Sequence, residues 1–325
     1  MSQRLEYMDV AKGIAILLVI LGHHDLPPML KDWIYSFHMP LFFIVSGYFW
    51  HKVSMGEELK KGLKSLLIPL WTSKLLWVIL LLVAFNYKGS YTGPDWKVWL
   101  LGGLFEKGDF HFGMAWFLAA LFWGKLWMNI LYPLSSFWKY LTIALIFIIP
   151  VYLRGEWVFQ TNGTQFPCNF LQGMTSVLFL TIGYQLHGFN FFDKSQSWIK
   201  LIAITGLFFA YLLPLDVRSL SYPLFYWNIL ASSLASIGLL FLCKYMAESS
   251  SLHGVTTALS FVGRNSLAIF CIHALEYSVQ PQRLLAPYFH PYLHGIIVAI
   301  LIVLSLFVVK RIPVLRDIYK IKLTP

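Results

Sequence analysis

Ten stretches of mainly apolar residues divide this sequence: 8–25, 33–53, 65–86, 114–132, 138–153, 166–187, 197–214, 222–243, 257–280 and 292–310. A helix needs about 20 such residues to cross the hydrocarbon core of a bilayer. Lipid offers no partner for backbone N–H and C=O groups, so a crossing segment must close its own hydrogen bonds as a helix. The expected fold is therefore all-α: a polytopic membrane protein with about ten transmembrane helices, forming a single integral-membrane domain over 1–325. Composition agrees, because only 12% of the residues are charged, where a soluble domain carries about a quarter. The formal net charge of +10 does not point to nucleic acid. The cations lie between apolar runs, where they act as topology signals. With the N-terminus inside, Lys60, Lys61, Lys64, Lys310, Arg311 and Arg316 fall on one side, so both termini are expected in the cytoplasm. The first run lacks a small-residue cleavage site and is expected to stay as a span. Cys168, Cys243 and Cys271 match no metal or disulfide pattern and read as small core residues.

The first run, DVAKGIAILLVILGHH, is apolar enough for a bilayer yet carries Asp9 and Lys12 at one end and His23 and His24 at the other. Lys12 and His23 are eleven residues apart. That is almost three helical turns, so both side chains fall on one face, separated by a rise of about 16 Å. Asp9, Gly13 and Ile16 share the Lys12 stripe. The second run, WIYSFHMPLFFIVSGYFW, descends from the outer side, so His38 sits near the outer face while Ser46 and Tyr48 lie nearer the cytoplasm. The ninth run climbs outward through FVGRNSLAIFCIHALEYS: Arg264 enters from the inside, and His273 and Glu276 lie toward the outer half. Three runs thus place histidines at a similar depth, with cations at the inner ends of the same helices. Ionisable groups inside a membrane are expensive and mark functional sites by default. None of these three runs carries a tight i, i+4 ligand pair, so this cluster is read without a metal.

These motifs resemble the acyltransferase-3 family of membrane proteins. Its first helix carries a basic residue, ten residues and then histidine, here Lys12 and His23 within DVAKGIAILLVILGH. FHMPLFFIVSGYFW is similar to the family's second motif, and LLIPLW at 66–71, AWFLAALFW at 115–123 and GRNSLAIFCIH at 263–273 resemble its later landmarks in the same order. The branch most similar is the one of fucose 4-O-acetylase-like proteins. Lysine stands where the family more often has arginine, keeping the charge but losing the bidentate fork. The chain stops at Pro325 without the fused extracellular domain of some relatives, so the acyl group is expected to pass directly to the acceptor or to a separate partner.

The resemblance implies O-acylation, usually acetylation, of an exported or cell-surface carbohydrate. Acetyl-CoA or another acyl-CoA is the expected co-substrate, no cofactor is held permanently, and the chain is expected to be a multi-pass protein of the bacterial inner membrane. The expected partners are the lipid bilayer, the donor, the carbohydrate acceptor and candidate glycan-assembly proteins. Lys12 and Arg264 suit the donor phosphates. The Lys12–His23 separation is comparable to the reach of the coenzyme A arm. A sugar hydroxyl is a poor nucleophile, so a general base is expected, with His23 in that role; an acyl-histidine intermediate is the other route. His38, His273, Glu276, Ser46, Tyr48 and Trp116 are read as supporting or acceptor-binding groups, with Trp33 and Tyr35 as further aromatics able to stack on a sugar. The rival reading is a transporter of a glycan or lipid-linked sugar that makes and breaks no acyl bond.

Overall fold

A computed structural model describes residues 5–87, 116–157, 169–279 and 288–322. Cys168 lies outside the described residues. Regular structure among the described residues is helical, apart from an isolated bridge between Asp216 and Ser221. The main helices are α1 (Glu6–Gly22), α2 (Pro28–Tyr48), α3 (Met55–Gly62), α4 (Ile68–Tyr87), α5 (Trp116–Leu131), α6 (Ser136–Trp157) and α7 (Phe170–Gly188). They continue as α8 (Phe191–Lys194), α9 (Ser197–Leu212), α10 (Tyr226–Glu248), α11 (His253–Arg264), α12 (Ser266–Val279), α13 (Pro291–Val309) and α14 (Pro313–Tyr319). Each of the ten expected runs overlaps a helix. Among the described residues, three helices are long and apolar enough to cross a membrane: Met55–Leu80, Tyr226–Glu248 and Pro291–Val309. The number rises to four if the pair around Asn265 counts as one broken span.

That pair corrects one expectation. The run 257–280 was expected as a continuous helix, but Ser250–Arg264 and Ser266–Glu276 meet at an angle of 69°. The cause is Asn265, which leaves helical geometry at φ −105°, ψ 13°. Its buried amide serves other partners: Nδ2 donates to the carbonyls of Phe261 (2.9 Å) and Lys322 (2.8 Å), and Oδ1 accepts from the Lys322 N–H (2.7 Å). A residue whose side chain binds the backbone of a remote segment competes with the helix it sits in.

The chain divides into two compact units, one of residues 1–50, 179–270 and 282–325, the other of 51–178 and 271–281. In the first, glycines set the helix spacing. Gly13 of α1 lies on the Leu259 carbonyl of α11, and Gly263 of α11 lies on the Asp9 carbonyl, so a Cβ at either position would collide with backbone. Gly47 on Leu180 and Gly183 on Ile44 do the same for α2 and α7. Without a hydrophobic drive between helices in lipid, close backbone approach through small residues is what holds such pairs. Ile16, Ile20, Phe37, Leu41, Phe43 and Leu240 fill the interior. The connection 213–225 folds inward: Leu215, Val217, Leu220 and Tyr222 are buried, and the Leu215 N–H donates to Ser36 Oγ at 3.3 Å.

In the second unit, α3 is capped by Ser54, whose Oγ accepts from the Glu57 N–H at 3.2 Å. A π-helical turn, Leu63–Leu67, carries α3 into α4. Phe122 of α5 packs on Gly62, 2.6 Å from where a Cβ would stand. Lys52 Nζ donates to the Asn129 carbonyl at 2.6 Å.

Candidate active site

The site begins at the charged end of α1. Lys12 Nζ lies 2.6 Å from Asp9 Oδ1, and the Asp9 carboxylate is nearly buried while the lysine side chain keeps 27% of its exposure. The pair is i, i+3, where helical side chains meet. Next to it the α1–α11 crossing puts Gly263 against the backbone of Asp9 and Gly13. Arg264 follows Gly263 directly and so stands one residue from the contact with the Asp9 and Gly13 backbone. Arg264 Nε is buried without a hydrogen-bond partner among the described residues. A guanidinium donor in that state suits an anionic guest.

At the far end, α1 closes at Gly22 and His23 forms its C-cap at φ −91°, ψ −5°. The near-helical geometry preserves the phase of Lys12 and His23. His23 Nδ1 lies 2.7 Å from the Val19 carbonyl. A carbonyl only accepts, so in the neutral ring Nδ1 carries the proton and Nε2 the lone pair. His38 is held in the same way, its Nδ1 2.6 Å from the Ile34 carbonyl, and is buried. Tyr35 stands between the two rings, 5.9 Å from His23 and 5.3 Å from His38 by centroids. Its hydroxyl donates to the Gly22 carbonyl at 2.8 Å, which ties α2 to the last turn of α1. The structure thus brings His23, Tyr35 and His38 into one row.

Each of the other expected residues has its own surroundings. In the second unit His273 is buried and its Nδ1 lies 2.9 Å from Glu276 Oε2, one turn along α12. This carboxylate–imidazole pair fixes the ring as a second-partner carboxylate does in many acid–base sites. Tyr48 ends α2, ten residues from His38 and therefore about 15 Å along the helix. It packs on His187 (4.8 Å between centroids) and Phe192 (6.0 Å), and hydrogen-bonds Tyr7. Ser46 is half-buried on α2, and Trp116 opens α5 with its ring buried against Phe117. Trp33 donates from Nε1 to the Leu207 carbonyl at 2.8 Å, which fixes it against α9.

Two residues that the sequence reading passed over lie next to His24. His294, near the start of α13, is buried, with Nε2 3.2 Å from the Phe289 carbonyl and Nδ1 3.7 Å from Asp25 Oδ2. Gly295 brings α13 onto the end of α1: a Cβ there would stand 3.2 Å from His24 Cβ. A histidine three residues after a helix-starting proline at the head of an apolar run, Pro291 to His294, is the sequence signal that marks this position.

Comparison with known proteins gives this geometry a context. A family profile described as an acyltransferase domain matches residues 5–310. The chain is also similar to the nodulation protein NolL of Mesorhizobium japonicum, 34% identical over 122 residues that cover 28% of this chain and 31% of the relative. The match therefore spans about a third of that relative's length. No solved structure matches the chain.

Proposed function

The chain belongs to the acyltransferase family matched over residues 5–310, and we propose that it is a membrane O-acyltransferase moving an acetyl group from cytoplasmic acetyl-CoA to a hydroxyl of an exported or cell-surface carbohydrate. In this reading the chain crosses a bacterial inner membrane ten times with both termini in the cytoplasm, and its acceptor chemistry follows the fucose 4-O-acetylase-like branch. One observation carries the proposal: α1 presents Lys12 and His23 on a single face, with Arg264 delivered to the Lys12 end by the Gly13–Gly263 crossing. The separation of about 16 Å along the helix lets the phosphates of an extended donor rest at the cations while its thioester reaches the imidazole.

The chemistry is acyl transfer. His23 Nε2 takes the proton of the acceptor hydroxyl as its oxygen attacks the thioester carbonyl. The tetrahedral centre collapses, the C–S bond breaks, and the proton passes to the departing thiolate. The Nδ1 contact with Val19 supports this role because it keeps Nε2 as the basic nitrogen. Lys12 and Arg264 bind the donor in ground and transition state alike, so they serve affinity more than turnover. His38 and Tyr35 hold the ring in place and border the space the acceptor sugar occupies. Mass spectrometry of surface glycans from cells with and without the gene tests the proposal. Loss of an acyl mass, restored by the native chain and not by His23→Ala, is the expected result. Unchanged glycan acylation together with loss of glycan export would replace it with the transporter reading.

A further inference from the structure

The first turn of α2 carries a cation that the proposed chemistry leaves unused. Lys31, Tyr35 and His38 follow one another at four and then three residues, so they share one face of the helix. It is the face turned toward the end of α1, because the Tyr35 ring stands between the His23 and His38 rings and its hydroxyl donates to the Gly22 carbonyl. Lys31 Nζ lies 5.8 Å from the Tyr35 centroid and that centroid 5.9 Å from the His23 ring, so no more than about 12 Å separates the ammonium from the imidazole. Lys31 is half-buried, and among the described residues no carboxylate pairs with it. Asp32 follows it directly but is exposed and turned by about 100° on the helix. Asp25 is exposed and stands at His294. The face of the Tyr35 ring offsets only part of the cost of drawing an ammonium out of water.

We propose that Lys31 binds an anionic group, a carboxylate or a phosphate ester, on the acceptor sugar, so that the acceptor is an acidic glycan. The inference rests on the acyltransferase reading and adds this group to the acceptor it names. A single sugar ring with a hydrogen bond at each end bridges a gap of this size. Its anion meets Lys31, its apolar face lies along Tyr35, and a free hydroxyl reaches His23. The ammonium gains most from a partner of opposite charge, which the fold itself leaves open. Lipid headgroups also offer anions, but they approach α2 from outside, whereas this ammonium is held over a ring on the face turned to His23.

Protection of His23 from diethyl pyrocarbonate, which acylates neutral imidazole, tests this without requiring turnover. The full chain is reconstituted in phosphatidylcholine nanodiscs, and His23 labelling is followed by mass spectrometry with glucuronate, glucose 6-phosphate, methyl glucoside or acetate present. At least one of the two charged sugars, the carboxylate or the phosphate, should slow labelling at roughly tenfold lower concentration than methyl glucoside, the worth of one charge-assisted hydrogen bond. Acetate should have no effect, because it has no ring to span the distance. Lys31→Gln should erase the advantage of the charged sugar and leave methyl glucoside unchanged, and Lys31→Arg should keep it. Equal protection by charged and neutral sugars, protection by acetate, no protection by any sugar, or an advantage that survives Lys31→Gln would overturn the proposal and leave Lys31 as an interfacial cation. The readout is binding beside His23, so it stands even in a chain that transfers no acyl group, and the glycan masses decide that question separately.

Discussion

Asn265→Ala should loosen both the broken helix and the C-terminal segment. The native amide makes three hydrogen bonds, to Phe261 and in both directions to the Lys322 backbone, at 2.7–2.9 Å. Asn265 is 1% exposed, so water cannot replace its side of those bonds without opening the packing. At about 1 kcal/mol net for each bond, the loss is about 2–4 kcal/mol, the upper end applying if the Lys322 groups are left unsatisfied. On the scale of soluble proteins of this length that lowers a melting midpoint by about 3–6 °C. Cys243 and Cys271 are free and buried, so a thiol-reactive dye reports their exposure on heating in a Cys168→Ser background. The same variant should become more sensitive to proteolysis after Tyr319. It should also bind acyl-CoA more weakly, because Arg264 is the residue before the break. A midpoint within 1 °C of the native value, with unaltered proteolysis, would refute the idea that the amide holds this junction.

His23→Ala should reduce acyl transfer by about 10²–10⁴-fold, the usual contribution of a general base, while donor binding persists. His24→Ala, rotated by about 100° on the helix, should lose far less, and equal mild losses in the two variants would leave the histidines as a polar helix end. Lys12→Ala should weaken acyl-CoA binding while Lys12→Arg is tolerated; because the change also strips the nearly buried Asp9 carboxylate of its Lys12 partner, the double variant Asp9→Asn/Lys12→Ala separates lost affinity from lost stability. Tags at either terminus should report the cytoplasm, and an external C-terminus would mean that the proposed crossings are miscounted.

Periodicity and length made the helices legible, because those two properties are what a bilayer selects. They also gave the shared face of Lys12 and His23, since a helix fixes relative direction from spacing alone. The break at Asn265 was hidden because it depends on Lys322, 57 residues away in the chain. Gly263, two residues earlier, is a local sign of a bend, but it reads equally well as the packing glycine it also is. The meaning of Gly13 was half visible: a small residue on the charged stripe allows close approach, but only the fold shows that the approaching backbone carries Gly263 and with it Arg264.

The row of His23, Tyr35 and His38 illustrates the same limit from the chemical side. Sequence depth placed the two histidines at one level, yet it could not fix which nitrogen of either ring is basic. That property comes from local backbone geometry, in which each Nδ1 reaches the carbonyl four residues earlier, Val19 for one and Ile34 for the other. The same i−4 contact in both places leaves both Nε2 atoms with lone pairs, so the contact alone does not separate base from support. Burial does: His38 is enclosed at 4% exposure, while His23 is only half-buried at the end of α1. A base must reach a hydroxyl that arrives from outside the fold, and of the two imidazoles only His23 retains a surface on which that can happen.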